Sequence, residues 1–133
     1  MFSQQEQAYL QTQHLVRIGT VEPNGQPDVD VVGLEFDGTY FFIRAHHPQA
    51  SRKYKNVAAG HHQVSLLIDD VQMAPTMVGR GIKIHGTAEA STYEDAGKAI
   101  PYLIVTPKIS WSWGIEAPTF QQGRLVTKKT VWG

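Results

Sequence analysis

The sequence predicts a mainly β protein: an antiparallel barrel of about six strands with one or two short helices. Two observations carry this reading. Short runs rich in β-branched and aromatic residues recur with period two, and Asn-Gly and Asp-Gly pairs separate the first three of them. Consecutive short strands joined by turns favour closure over an open edge, whose unpaired amides and carbonyls invite aggregation.

The elements follow in order. Ser3 and Glu6 have capping-box spacing, which predicts a helix over residues 4–12 with Ala8, Tyr9 and Leu10 on its buried side. Residues 15–21 form the first strand, with Val16, Ile18 and Thr20 on one face. Asn24-Gly25 tolerates the positive φ of a tight hairpin and returns the chain into a second strand, where Val29, Val31 and Gly33 alternate with Asp28, Asp30 and Val32. Asp37-Gly38 turns it again into a third strand over residues 39–44. Tyr54, Val57 and Ala58 at i, i+3, i+4, closed by Gly60, predict a second short helix within residues 48–60. Residues 64–69, 81–90 and 102–106 supply three more strands, with residues 70–80 read as a loop. Ser91 and Glu94 repeat the capping-box spacing and predict a brief helix before Pro101.

Composition narrows the chemistry. The 133 residues suit a single domain over 1–133. Twelve Lys and Arg balance twelve Asp and Glu, so no global field draws the protein to nucleic acid or to a membrane surface. Without cysteine there is no disulfide framework, thiolate zinc site or Cys nucleophile. The first residues lack a basic and then apolar leader, and no run of some eighteen apolar residues occurs, so a soluble cytoplasmic protein is expected.

The charge balance makes one stretch conspicuous: Ala50-Ser51-Arg52-Lys53-Tyr54-Lys55-Asn56 carries three cations. A helix starting at Ser51 brings first-turn amides, a hydroxyl, a planar guanidinium and an ammonium to one point, a set that suits a phosphate. The plainer alternative is the solvated face of an amphipathic helix. Position favours the anion, because cations at a helix start oppose the macrodipole.

The arrangement resembles a known family at this point. Strand, Asn-Gly turn, strand, Asp-Gly turn, strand, "SRK" helix, apolar strand and then "GRGIKIHGTAEA" is similar to the pyridoxamine 5'-phosphate oxidase-related split-barrel flavoproteins, over residues 2–116. "YLIVTPKISWSWGIE" resembles a small branch of that family described as dependent on the deazaflavin coenzyme F420. The resemblance implies a six-stranded antiparallel split β-barrel that forms a homodimer and binds coenzyme F420 or FMN at the subunit interface. It places Ser51, Arg52 and Lys53 at the cofactor phosphate. Val31, Val32 and Gly33 fall along the ring, Ile43, Arg44 and Ala45 at its other edge, and Arg80 and Lys83 where a further polar contact is made. Two departures stand out. The second strand lacks the Arg and Lys of the true oxidases, and residues 121–133 lack their basic substrate motif, so pyridoxamine phosphate is not the expected substrate.

The implied function is oxidoreduction, with hydride passing between cofactor and a small conjugated acceptor. No catalytic acid or base is nominated. Trp111, Trp113 and residues 71–79 are candidate pocket walls, although large aromatics also serve cores and interfaces. An extra basic surface from Arg80, Lys83 and Lys108 would suit the anionic tail of the deazaflavin. The rival reading is a non-catalytic module on the same fold that carries or senses flavin or binds haem; a third is a dimerisation barrel with no cofactor. No metal is expected, because His46-His47 and His61-His62 match no common zinc spacing. No nucleophile elbow, dinucleotide loop or P-loop occurs.

Overall fold

The computed structural model describes residues 1–45 and 51–133. The His46-His47 pair and the first residues of the predicted second helix therefore lie outside the described residues.

The chain opens with α1 (Gln4–Gln11), started by the predicted capping box: the Ser3 amide donates to Glu6 Oε1 at 2.9 Å, and the Glu6 amide donates to Ser3 Oγ at 3.2 Å. Its buried residues are Glu6, Tyr9 and Leu10. Ala8, expected on that face, is exposed, because a face centred on Glu6 takes its i+3 and i+4 neighbours and leaves position 8 pointing away.

Next come β1 (Leu15–Val21), β2 (Pro27–Gly33), β3 (Phe41–Arg44), α2 (Arg52–Ala58), β4 (Gln63–Gln72), β5 (Val78–Asp95) and β6 (Lys98–Trp113). Two short strands, β7 (Phe120–Gln121) and β8 (Arg124–Leu125), form a separate hairpin, and β9 (Lys128–Val131) returns to β6. All pairings are antiparallel, in the order β2-β1-β4-β5-β6-β3, with β9 added beside β6. The segment after β2 runs back along β3, where the Phe42 amide donates to Glu35 O at 3.0 Å and Phe36 bridges Phe41. The two edges of the six-strand path are thereby brought together.

Register separates two faces. Val16 and Ile18 of β1, Val64, Leu66 and Ile68 of β4, Ile82, Ile84 and Ala88 of β5, Phe41 and Ile43 of β3, and Leu103 and Val105 of β6 are all buried inside. Each fully buried aliphatic or aromatic side chain contributes about 1.5–3 kcal/mol relative to its exposed state. Phe2 seals one end by packing edge-on against Phe36, Phe41 and Trp132. The helix α2 lies against β1, β2, β5 and β6. It buries Lys53, Asn56 and Val57, while Ala58, expected on its apolar face, is exposed.

Two further expectations are corrected. No helix begins at Ser91; β5 continues to Asp95 and meets β6 through an Ala96-Gly97 turn, both residues at positive φ. Cross-strand pairing of Ser91 with Tyr102 and Tyr93 with Ile100 prevails over the local capping signal. The segment 70–80 is mostly strand: β4 reaches Gln72 and β5 starts at Val78, leaving residues 73–77 as the connection. Among the described residues no helix is long and apolar enough to cross a membrane.

Candidate functional site

The cationic stretch does form a helix start. Ser51 is the N-cap of α2, but its side chain makes no cap bond, and its buried Oγ has no hydrogen-bond partner among the described residues. With seven residues α2 has a weak macrodipole, so the side chains must carry any anion affinity. Arg52 is half exposed and meets Glu22 through Nε at 3.2 Å. Lys53 is turned the other way: its side chain is 9% exposed and its Nζ donates to Asp30 Oδ2 at 2.8 Å. That ammonium, with the Val31 amide, holds the Asp30 carboxyl below its ordinary range. Lys53 thus ties the start of α2 to β2, and it neutralises a carboxylate that would otherwise repel a phosphate.

The ion pair brings two of the predicted segments together, Ser51 to Lys53 and the middle of β2. Along β2, register puts Asp30 and Val32 on the inner side, opposite Ile18 and Val16, and Val31 and Gly33 on the outer side, opposite Arg17 and Leu15. Val31 is 49% exposed, Val32 packs on the core, and a Cβ on Gly33 would meet nothing within 4 Å. The outer side of β2 is therefore open along the backbone.

Ile43 of β3 and Ala45, just past its end, are buried, so Ile43 serves the core and offers a ligand only its backbone. Arg44 grips Glu35 with two nitrogens, reaches the Tyr93 hydroxyl and lies 4.9 Å from the Tyr93 ring centre. Its hydrogen bonds to Glu35 raise its pKa above the ordinary guanidinium value.

Arg80 and Lys83 part company, because three residues along a strand reverse the face. Arg80 holds Asp70 bidentately at 2.8 and 3.0 Å and packs over the Tyr9 ring at 4.9 Å. Tyr9 donates to the same carboxylate at 2.9 Å, and burial pushes its phenol well above the usual range. Arg80 is thereby engaged in joining α1 to the β4–β5 hairpin. Lys83 lies on the outer face, its ammonium 4.5 Å from the Trp111 ring centre, and His85 meets the same ring edge-on at 4.7 Å. Trp111 and Trp113 are both partly exposed on that face rather than in the core.

Sequence reasoning missed Asp30 and Glu22 as partners of the two cations; an ion pair across 23 positions leaves no periodic signal. It also missed an outer groove of ≈ 540 Å³ running from β2 toward β6. Among the described residues no three His, Asp or Glu side chains gather as a metal set.

The sequence profile described as pyridoxamine 5'-phosphate oxidase matches residues 2–109. The chain belongs to this family. Over 122 residues it is 34% identical to a 5a,11a-dehydrotetracycline/5a,11a-dehydrooxytetracycline reductase of Streptomyces rimosus, covering 86% of this chain and 84% of that protein. Among solved structures, an F420 reductase superposes with a TM-score of 0.61 at 20% identity, covering 82% of this chain and 98% of that one. The haem storage protein HutZ of Vibrio cholerae superposes with a TM-score of 0.58 at 12% identity, covering 77% and 87%. The architecture expected from the resemblance, the split barrel of this family, is the one the strands adopt.

Proposed function

We propose that the protein is an oxidoreductase that transfers hydride between coenzyme F420 or FMN and a small conjugated organic acceptor. The observation that carries this reading is the 34% identity, over most of both chains, to a 5a,11a-dehydrotetracycline/5a,11a-dehydrooxytetracycline reductase. The solved F420 reductase of the same fold accords with it.

The residues present fit a cofactor phosphate. Ser51 has a buried hydroxyl without a partner among the described residues, and Arg52 has a half-exposed side chain. These two would contact the phosphate, while Lys53, fixed on Asp30, neutralises the carboxylate beside it. The open backbone of Val31 and Gly33 and the end of β3 at Arg44 and Ala45 flank the ring. Arg80, occupied by Asp70, plays no part while that pair is intact. When bound, the cofactor supplies the hydride chemistry; the chain's share is to orient the ring and exclude water. We further infer a homodimer in which a second copy covers the exposed Leu15 and Val31 on the outer side of β1 and β2.

The test is titration of the purified, cofactor-free protein with FMN and, separately, with coenzyme F420, followed by tryptophan quenching. Tight binding of either supports the reading and names the cofactor. Saturation by neither overturns it.

A further inference from the structure

The outer face of the sheet holds a second feature that the cofactor reading does not use. Register aligns Val29, Gly19, Ser65, His85, Ile109 and Val131 in one row across β2, β1, β4, β5, β6 and β9. The second and third members are small. A Cβ on Gly19 would find its nearest neighbours at 3.8 Å, so the row sinks to a trough with Val29 at one wall and His85 and Ile109 at the other. Its volume of ≈ 540 Å³ lies in the range of small-molecule sites.

A β-bulge sits at the far wall. The β5–β6 register shifts between His85 and Gly86: Ile109 faces His85 and Pro107 faces Gly86, leaving Lys108 as the extra residue. Gly86 belongs to the same device, because a Cβ there would lie 2.5 Å from Thr106 O. Bulges re-aim side chains and occur beside active sites, and here Lys108 lines the trough. Among the described residues Lys108, Lys83 and Lys129 have no carboxylate within ion-pair distance. Lys83 and Lys129 flank Trp111 in the adjacent row. Asp28 is the acidic residue of the lining, and it stands at the opposite, β2 lip. The β5–β6 wall thus carries Lys108 and His85, and Gly19 and Ser65 form the floor.

We propose that this trough is the acceptor subsite, and that it selects planar conjugated anions by placing a carboxylate or enolate edge at Lys108 and the ring system over Gly19 and Ser65. The inference rests on the oxidoreductase reading for the word acceptor, but its geometry does not depend on which cofactor binds. The trough begins on the outer side of β2, where the ring is proposed to lie, so the two sites are contiguous.

The test uses cofactor-free protein and a matched pair of probes, anthraquinone-2-carboxylate and its neutral carboxamide, read by tryptophan quenching. The carboxylate is expected to bind about tenfold more tightly than the amide. Lys108→Ala removes that difference and leaves amide binding unchanged. Gly19→Val fills the floor and weakens both probes, while Lys98→Ala at the β5–β6 turn changes neither. Circular dichroism confirms that each variant is folded. Equal affinity for the two probes, or an unaltered carboxylate affinity in Lys108→Ala, overturns the proposal. So does a Lys108→Ala variant that loses affinity for F420 but not for FMN or the carboxylate probe, because Lys108 then serves the acidic tail of the cofactor. Probe binding without any turnover leaves the subsite standing and counts against the oxidoreductase reading instead.

Discussion

Arg52 and Lys53 are adjacent cations with different surroundings, and the difference decides what each substitution does. The Arg52 side chain is 52% exposed and its pair with Glu22 is a surface one, so its loss scarcely touches the fold. Arg52→Ala is expected to weaken cofactor binding about ten- to a hundredfold, the size of one charge-assisted contact, with an unchanged melting temperature. Lys53 is buried and paired with Asp30. Lys53→Met is therefore expected to lower the melting temperature as well as the affinity, since it strands a carboxylate beside the proposed phosphate site. Parallel titration and thermal melts of the two variants check the contrast; identical behaviour would contradict it. The cluster of cations at the start of α2 was legible in the sequence, and it is what the phosphate proposal rests on. Which cation faces out was not, because it depends on Asp30 and Glu22, which only the folding of β1 and β2 brings near α2.

At the scale of elements, the N-terminal helix and the C-terminal strand are joined by charge. Glu6 is buried, and its Oε1 accepts from the Ser3 amide and from Lys128 Nζ at 3.4 Å; Lys128 also pairs with Glu116 at 2.7 Å. Burial pushes the Glu6 carboxyl up, but the Ser3 amide, the Ser112 hydroxyl and the Lys128 ammonium outweigh it and hold it below the usual carboxylate range. A carboxyl whose pKa falls on folding stabilises the native state above its unfolded value, about 4, and that contribution is lost as pH falls through the lower folded value. Glu6→Gln is expected to cost about 1–3 kcal/mol near neutrality and to flatten the fall in stability below about pH 4. Urea melts across pH measure both. The bulge at Gly86 gives a second expectation: Gly86→Ala, with its Cβ against Thr106 O, is expected to cost about 1–3 kcal/mol through overpacking. Most strands were legible through period two and their turn residues. The long β5–β6 ribbon was not, because its turn, Ala96-Gly97, puts an alanine at positive φ where Asn or Asp would have signalled a hairpin. β9 was missed because four residues, Lys128 to Val131, carry too little alternation to announce a strand, and its partner is distant in the chain.

For the whole molecule, the six-strand path matches the expected barrel, and its outer face explains what the core does not. Leu15, Val29 and Val31 stand exposed at one side of that face, with Lys83, Lys108, Trp111 and Lys129 toward the other. Sedimentation is expected to show a dimer, and Val31→Glu a folded monomer; a monomeric parent at working concentration would remove the dimer from the account. The order of motifs was enough to read the fold and the family, since both depend on the succession of strands and turns. The outer trough could not be read, because its row takes one residue from each strand across the sheet, a pattern invisible along the chain. An anaerobic assay separates a reductase from a carrier: chemically reduced F420, or reduced FMN, is mixed with protein and a panel of conjugated enones and quinones, following cofactor absorbance. Protein-dependent reoxidation of one cofactor, requiring an acceptor and slowed in Arg52→Ala, is expected. Tight cofactor binding with no acceptor-dependent reoxidation would contradict it and make the protein a carrier.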